Sequence, residues 1–242
     1  MSVRDIGRAL VQAAPRLEPF ARRLYARLPS AWHDTPTTRL RAFFRTWRSV
    51  RFVQIGAFDG ATGDPVRELV IHDARWTGAL VEPQPNAFAR LQANYAGQAG
   101  RLTFLNCAVS SERGELALYC VPTAEIARLD LPAWVEELAS ADAAHIAKHA
   151  PGAAIVETRT PAITFDDAAA RAGLETVDCV IMDVEGHERK IIESIDFERR
   201  AVRCLVFEHK HLSPADARAV AAILESHSFT LKRFGRDTFA SR

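Results

Sequence analysis

The chain has 242 residues, of which 48% are hydrophobic and 25% charged, and its formal net charge is +1. These values are typical of a water-soluble globular protein that is long enough for one well-buried core. The longest apolar runs, such as 177–182 and 204–207, are far shorter than the roughly 20 residues of a membrane-spanning helix, which excludes a protein that spans a membrane.

The start of the chain lacks the apolar core of a secretion signal, because Arg4, Asp5 and Arg8 interrupt it. The cysteines form no Cys-x-x-Cys pair and lie in apolar runs, as buried thiols in a reducing compartment do. They are Cys107, Cys120, Cys179 and Cys204. We therefore expect a cytoplasmic protein.

Residues 1–48 carry ten arginines against three acids, a net charge of +7, so the rest of the chain carries −6. Leu10, Leu17, Leu24 and Leu28 recur among the arginines at helical spacing. The pattern predicts a basic helical extension that packs on the main domain or on a second copy of the chain in a homo-oligomer. The charge could also attract an anionic carrier or nucleic acid, but we favour the packing interpretation over a nucleic-acid partner.

From residue 49 onward, apolar runs of strand length alternate with stretches of helical periodicity. The runs are 52–55, 79–81, 102–108, 177–182 and 204–207. Such alternation predicts an α/β fold with a mostly parallel, doubly wound sheet over residues 49–242.

Three features depart from simple alternation. Residues 115–121 predict an extra strand, and residues 122–159 form an insertion that is too long for a plain connection. We expect this insertion to lie on the substrate side of the fold. Residues 213–228 predict a helix with Ser213 as N-cap, followed by a C-terminal antiparallel hairpin.

A glycine turn follows the first strand, and Asp64 then opens a helix. A side chain at Gly56 or Gly60 would occupy the place of a bound ligand, so the turn predicts a nucleotide-type ligand. Phe58 stands where the dinucleotide fingerprint has its second glycine, which argues against NAD or FAD.

The second strand ends at Glu82, where a carboxylate can accept both ribose hydroxyls of an adenosine. Alone, Glu82 would be read as an exposed acid at the start of a turn, but its place after the glycine turn favours ribose binding. Asn106 follows the third strand and is expected beside the adenine ring.

Polar residues crowd the ends of the fourth and fifth strands. One strand is followed by Asp183, Glu185, His187 and Glu188, and the next by Glu208, His209 and His211. Acids and histidines at such strand ends can orient or deprotonate a hydroxyl. The alternative for the first group is that Glu185 and Glu188 merely favour a helix N-terminus.

Five segments taken together resemble the FkbM family of methyltransferases, over roughly residues 50–212. They are FVQIGAFDGATGDPVREL, ALVEPQPNAFARLQANY, TPAITFDDAAARAGL, VDCVIMDVEGHERKIIESIDF and LVFEHKHLS. The resemblance implies a class I methyltransferase fold of Rossmann type and S-adenosylmethionine as methyl donor. It also implies O-methylation of a small-molecule acceptor such as a natural product or a sugar.

The resemblance matches residues to two sets. Its cofactor segments are matched by Gly56, Ala57, Asp59, Gly60, Asp64 and Glu82, whereas Gln54 departs from the family because many members have an aspartate there. Together with these six residues we predict cofactor contacts at Gln54, Pro83, Asn106, Ala108 and Asp183. The later polar motifs are Asp183, Glu185, Gly186, Glu208 and His209.

For catalysis we expect His187 or His209 to act as the base, while Asp183, Glu185 and Glu208 orient it, the substrate or a metal ion. The ends of neighbouring strands lie about 4.8 Å apart. Asp183, Glu208 and His209 could therefore hold Mg²⁺ or Mn²⁺ that positions the acceptor oxygen.

Two rival functions stay open. One is another nucleotide-cofactor reaction, such as that of a dehydrogenase. The other is a non-catalytic module that binds a nucleotide cofactor or docks a carrier through its basic N-terminal arm, with strongly salt-dependent association.

Overall fold

A computed structural model describes residues 34–242. The leucine-bearing part of the predicted helical extension lies outside these residues. The chain divides between Trp47 and Arg48 into two units. In the described part of the first unit, helix α1 (Pro36–Phe43) begins after Thr35, whose side chain forms a capping box with Thr38. A proline in its first turn has no helical N–H bond to lose.

The second unit contains two sheets and the helices that cover them. In chain order its strands are β1 (Val50–Ile55), β2 (Trp76–Val81), β3 (Leu102–Leu105), β4 (Ala108–Val109), β5 (Gly114–Cys120), β6 (Ala139–Ser140), β7 (Val156–Ile163), β8 (Cys179–Met182), β9 (Cys204–Glu208), β10 (Thr230–Phe234) and β11 (Asp237–Ser241). Its α-helices are α2 (Arg67–His72), α3 (Pro85–Asn94), α4 (Thr123–Arg128), α5 (Ala143–His149), α6 (Phe165–Arg171), α7 (Glu188–Ser194), α8 (Phe197–Arg200) and α9 (Pro214–Ser226). Two 3₁₀ segments, Ala96–Arg101 and Ala133–Glu137, complete it.

The main sheet has the order β10-β11-β9-β8-β1-β2-β3. Strands β9, β8, β1, β2 and β3 are parallel, while β11 is antiparallel to both β9 and β10. The predicted mostly parallel sheet and its C-terminal hairpin are therefore confirmed. The strand order changes direction between β1 and β8, and such a change opens a crevice at the carboxyl ends of the two strands.

The central strands are apolar because both faces of the sheet are covered. Strands β8 and β9 are buried at every position. On one face, alternate side chains such as Val180 and Met182 pack with Phe165 of α6, Ile191 of α7 and Leu224 of α9 in one hydrophobic core. Burial of apolar area of this kind supplies most of the stability of such a domain.

The third predicted strand, 102–108, is wrong in its extent, because β3 ends at Leu105. Asn106 leaves the ladder, and its side-chain amide donates to the backbone carbonyls of Glu82 and Pro83 at 2.8 and 3.2 Å. Ala108 and Val109 then pair with β7 instead of β2. A side-chain hydrogen bond thus ends the strand inside an apolar run.

The second sheet has the order β4-β7-β5-β6, and its strand β5 confirms the strand predicted at 115–121. The predicted insertion 122–159 runs too far, because β7 already begins at residue 156 and pairs along β5. The helical part of the insertion has its own apolar cluster, which includes Ile126, Val135 and Ile146. It is therefore a packed element and not an open loop.

All four cysteines are free thiols. Cys179 and Cys204 are register partners on β8 and β9, and their sulfur atoms lie 3.3 Å apart in the core. Among residues 34–242 no helix combines the length and the apolarity that crossing a bilayer requires.

Gly56 is placed where two backbones nearly touch. Its φ is +75°, and a Cβ atom there would lie 1.9 Å from the carbonyl oxygen of Asp183. A Cβ at Gly60 would lie 2.5 Å from Leu91. The expectation that a side chain at these positions would occupy the place of a ligand is therefore wrong, because it would meet the protein itself. The predicted contact of the two glycines with a cofactor stays a prediction.

Gly56→Ala should lower the free energy of unfolding by at least about 4 kcal/mol, since the added methyl group meets a backbone carbonyl that cannot move away freely. Gly63→Ala is a matched control, because Gly63 has a φ of +64° but nothing within 4 Å of an added Cβ. It should cost only about 1–2 kcal/mol for the left-handed backbone. Urea unfolding measures both, and equal losses would show that the close approach is unimportant.

Candidate active site

The crevice between the ends of β1 and β8 is bordered by residues that follow β1, β2, β8 and β9. Glu82 lies at the end of β2 and is 3% exposed. Its two carboxylate oxygens accept the backbone N–H groups of Phe58 and Gln84, each at 2.8 Å. Burial raises the pKa of Glu82 to about 7. Each oxygen keeps a further lone pair that could accept a ligand hydroxyl.

The turn after β1 is held by its own backbone and by Asp59. The N–H groups of Gly56 and Ala57 donate to the carbonyl of Val81, and Gly60 donates back to Ala57. The Asp59 carboxylate accepts the N–H groups of residues 61 and 62 at 2.8 Å. Burial opposes ionisation of Asp59, but these hydrogen bonds outweigh it and lower its pKa.

Asp64 and Gln54 have partners inside the protein. The Asp64 carboxylate accepts the N–H groups of Val66 and Arg67 and, at 2.6 Å, the hydroxyl of Tyr95. Burial raises its pKa. The amide nitrogen of Gln54 lies 3.5 Å from the same carboxylate. Both residues stabilise the start of α2, and their predicted contact with a cofactor stays a prediction.

The remaining predicted cofactor contacts, Asn106, Pro83 and Ala108, are divided between the surface and the core. Asn106 is exposed, and its amide is held beside Glu82 by the two hydrogen bonds described above. Pro83 is half-buried next to it, whereas Ala108 is buried in β4. Asn106 and Pro83 therefore border the crevice.

Asp183 directly follows β8, next to the end of β1. Its N–H donates to the carbonyl of Ile55 at 3.1 Å, which ties the ends of β8 and β1 together. Its side chain is exposed, yet the surrounding protein removes enough water to raise the pKa of the carboxyl. A carboxylate can be exposed and still have a raised pKa when it lies in a concave part of the surface that is open to solvent.

Glu185 and Glu208 lie on the side of the crevice next to β9. Their side chains approach His211 from two directions, with oxygen–nitrogen distances of 3.5 and 3.3 Å. Glu185 has a φ of +50°, and its backbone carbonyl accepts the Ser140 hydroxyl at 3.0 Å. The insertion therefore contacts the loop after β8.

Neither histidine predicted as a base stands free in the crevice. His187 is 9% exposed, and its Nε2 lies 3.0 Å from the Ser110 hydroxyl. Burial lowers the pKa of His187 to about 4, so that the ring is neutral at pH 7. His209 is half-buried, and its Nδ1 lies 3.1 Å from the hydroxyl of Thr238 on β11. Burial lowers its pKa as well.

The predicted metal set of Asp183, Glu208 and His209 is wrong as a group. Among the described residues, the His, Cys, Asp and Glu side chains whose ligand atoms lie mutually within 4.8 Å form two sets, and His209 is in neither. Successive side chains of a strand point to opposite faces, so Glu208 and His209 diverge where β9 ends. His211, two residues further on, takes the place expected of His209.

The insertion adds residues that the sequence did not indicate. Its 3₁₀ segment brings Glu137 close enough to Asp59 and Asp183 that, after burial, these two charges raise its pKa. Helix α5 brings His145, whose Nε2 lies 2.9 Å from a carboxylate oxygen of Glu185. The spacing of His145 and His149 in a short helical segment was the available signal.

Glu188 begins α7 and is 0% exposed. One carboxylate oxygen accepts the N–H of Val184 at 3.1 Å, whereas the other has no hydrogen-bond partner in the described part of the chain. Burial raises the pKa of Glu188 to about 8. At neutral pH this side chain is therefore mostly protonated.

Comparison with known proteins gives a family and a fold. The model of the methyltransferase FkbM domain matches residues 54–231. The methyltransferase FkbM from Methylobacillus flagellatus KT has a similar fold, with a TM-score of 0.52 and 15% identity over 81% of this chain and 44% of that chain. This chain thus spans less than half the length of that protein. At this identity the likeness shows the fold, a class I methyltransferase fold.

Two further solved structures are similar to a lesser degree. Precorrin-6y C5,15-methyltransferase from Geobacter metallireducens GS-15 has a TM-score of 0.42 and 11% identity over 85% of this chain and 88% of its own. The SAM-dependent O-methyltransferase from Thermotoga maritima has a TM-score of 0.44 and 10% identity over 85% of this chain and 64% of its own. No curated protein matches the sequence.

Glu188→Gln should change how stability depends on pH. The folded state keeps a proton on Glu188 up to a pH of about 8, whereas the unfolded chain releases it near the ordinary value of 4.5. The contribution of Glu188 to the free energy of unfolding is therefore fully present below about pH 4.5, and it is lost as the pH rises to 8. Because glutamine does not ionise, the free energy of unfolding of the variant should decrease over this pH range by less than that of the wild type, with a difference on the order of 2–4 kcal/mol.

Urea unfolding at several pH values between 5 and 9 measures the difference. Glu193→Gln is the matched control, because Glu193 is an exposed acid in the same helix. It should leave the pH dependence of the wild type unchanged. Parallel curves for the wild type and Glu188→Gln would contradict the assignment of a raised pKa to Glu188.

Proposed function

Because the chain belongs to the FkbM methyltransferase family, we propose that it transfers the methyl group of S-adenosylmethionine to a hydroxyl oxygen of a small molecule, such as a natural product or a sugar. The observation that carries the proposal is the concentration of carboxylates at the crevice. Asp183, Glu185 and Glu208 are close enough that, after burial, neighbouring negative charges raise the pKa of the two glutamates to about 7. Asp59 and Glu137 extend the group.

Negative potential at the crevice suits the charge of the proposed cofactor. A sulfonium and an ammonium group are both cations, and carboxylates attract them most strongly where water is partly excluded. The pyrophosphate of NAD or FAD is an anion and would be repelled by the same side chains. The electrostatics therefore favour S-adenosylmethionine over the dehydrogenase alternative, as the missing second glycine at Phe58 also does.

Residues of β1 and β2 fit the adenosine part of this cofactor. We assign the ribose hydroxyls to the free lone pairs of Glu82, because its carboxylate is already oriented by two backbone N–H groups. The turn 56–60 lies next to Glu82, because the N–H of Phe58 donates to that carboxylate, and we place the rest of the cofactor against Ala57 and Asp59 of this turn. When bound, S-adenosylmethionine supplies an electrophilic methyl group for in-line displacement.

We assign proton removal to Asp183. Of the acids at the ends of β8 and β9 it is the exposed one, and its raised pKa makes it a stronger base than an ordinary aspartate. The Asp183 carboxylate would take the proton of the acceptor hydroxyl. The bound donor would supply the methyl group to the acceptor oxygen, and the electron pair of the broken carbon–sulfur bond would stay on sulfur, so that S-adenosylhomocysteine leaves. His187 and His209 already have partners in Ser110 and Thr238, and we place them outside this step.

We further propose that the insertion forms the acceptor side of the site. Ser140 and His145 contact Glu185, and Glu137 lies near Asp183. Arg90 of α3 also pairs with Glu136 at 3.2 Å, so that the insertion approaches both sides of the crevice. Acceptor identity therefore depends on residues that the cofactor does not contact.

The function predicts formation of S-adenosylhomocysteine with hydroxylated acceptors. In a panel of sugars, macrolides and phenols, with amines and thiols as comparison, turnover should occur with hydroxyl acceptors. Asp183→Asn should lower kcat by at least about 100-fold, the usual contribution of a positioned base, and should weaken the binding of S-adenosylmethionine by a much smaller factor, since the neighbouring carboxylates remain. Asp130→Asn, an exposed aspartate in the insertion, is the control and should be fully active.

Other outcomes separate the alternatives. Tight cofactor binding without turnover on any acceptor, together with strongly salt-dependent binding of a carrier, would favour the non-catalytic docking module. Turnover restricted to amines would refute O-methylation while leaving the methyltransferase intact.

The ribose assignment predicts that Glu82→Ala weakens binding of S-adenosylmethionine at least tenfold, because charge-assisted hydrogen bonds of about 1.5–3 kcal/mol each are lost. Since Glu82 also holds two backbone N–H groups, the sharper measurement is a comparison of two ligands. The wild type should prefer 5′-methylthioadenosine over its 2′,3′-dideoxy analogue, and Glu82→Ala should abolish this preference. An equal preference in both proteins, measured by calorimetry, would place the ribose elsewhere.

A further inference from the structure

Three histidines meet at the edge of the crevice, although they come from two distant parts of the chain. His145 and His149 are four residues apart on α5 and therefore face the same side of that helix. His211 follows β9. The ring centroids are 4.8 Å apart for the pair on α5, and those of His145 and His149 lie 4.4 and 5.4 Å from His211. One ligand nitrogen of each residue lies within 4.8 Å of the other two.

His149 provides an independent observation. Its Nε2 is buried and has no hydrogen-bond partner among the residues that the structure describes. A buried polar atom without a partner costs free energy, and native proteins rarely leave one unless something else binds it. Its ring also packs edge-on against Trp134, with 6.0 Å between the ring centroids. The nitrogen therefore lies beside two other imidazoles, away from water.

Imidazole binds a metal ion in its neutral form, because the ligand nitrogen must have a lone pair to donate. Three protonated rings at these distances would instead repel one another.

Two of the three rings have a carboxylate close to one ring nitrogen. Glu185 lies 2.9 Å from Nε2 of His145, and Glu208 lies 3.3 Å from Nε2 of His211. A carboxylate that accepts the second N–H of a metal-bound histidine fixes the ring's orientation and strengthens the ligand. The acids that border the crevice thus also orient the histidine cluster.

We propose that His145, His149 and His211 bind one divalent transition-metal ion of the zinc type, which fastens α5 of the insertion to the segment after β9. Three imidazole nitrogens select zinc, cobalt or nickel over magnesium and manganese. Zinc–nitrogen bonds of about 2.0–2.1 Å need nitrogens about 3.3 Å apart, which small side-chain rotations within this cluster achieve. Water completes the four ligands.

This inference is independent of the proposed methyl transfer, since the ion holds two parts of the fold together and takes no part in the displacement. Metal binding is therefore measured with the full chain in the absence of cofactor and acceptor. Protein stripped with a chelator is titrated with Co²⁺, whose visible absorption is intense in a tetrahedral site, and Zn²⁺ is then added as competitor. We expect one Co²⁺ per chain, displaced by Zn²⁺, and a higher Tm with metal because the ion binds the folded state.

His149→Ala and the volume-matched His149→Gln should weaken Co²⁺ binding at least about tenfold and abolish the metal-dependent rise in Tm. The matched control is His72→Ala, because His72 is an exposed histidine away from the cluster, and it should bind Co²⁺ as the wild type does. Absence of stoichiometric Co²⁺ binding by the wild type overturns the proposal. So does binding that survives both His149 variants but is lost in Glu208→Gln, since that result places the ion on Glu185, Glu208 and His211.

Discussion

The candidate site depends on how closely the ends of β1 and β8 approach each other. Gly56 lies so near the carbonyl of Asp183 that no side chain fits between them, and the N–H of Asp183 donates to Ile55 on the neighbouring strand. The two backbones therefore hold the glycine turn and the exposed carboxylate in one fixed relation. Because packed interiors tolerate little displacement, a shift of these strand ends would move both the glycine turn and the Asp183 carboxylate.

The fold holds several acids where their ionisation is unfavourable. Glu82, Glu185, Glu188 and Glu208 all have raised pKa values, and burial is the first cause in each case. The left-handed backbone of Glu185 adds strain in the same loop. Such features lower stability, and proteins retain them where a function needs them. A bound cation would offset part of this cost by stabilising the ionised forms.

Much of the fold can be predicted from the sequence, because strands that are buried on both faces consist of apolar residues. Acids that follow such parallel strands must then lie together at the carboxyl edge of the sheet. Three details depend on contacts between distant parts of the chain, which the sequence pattern does not show. The bonds of Asn106 to carbonyls at the end of β2 shorten β3, which no local pattern shows. The direction of the chain after Glu208 brings in His211 instead of His209. The contacts of His145 depend on how the second sheet folds, and they join residues far apart in sequence.

Strands β4 and β7 give the second sheet a further property. They lie side by side, with Ala108 opposite Ala162 and Val109 opposite Ile163, so the segment between them leaves and re-enters the domain at neighbouring points. The helical part of this segment buries its apolar side chains in a cluster of its own, separate from the core of the main sheet. In evolution such a segment can be lengthened, shortened or replaced as a cassette while the strands that carry Glu82 and Asp183 stay in register. Descendants of one catalytic scaffold can thereby diverge in the molecules they recognise without rebuilding the chemistry.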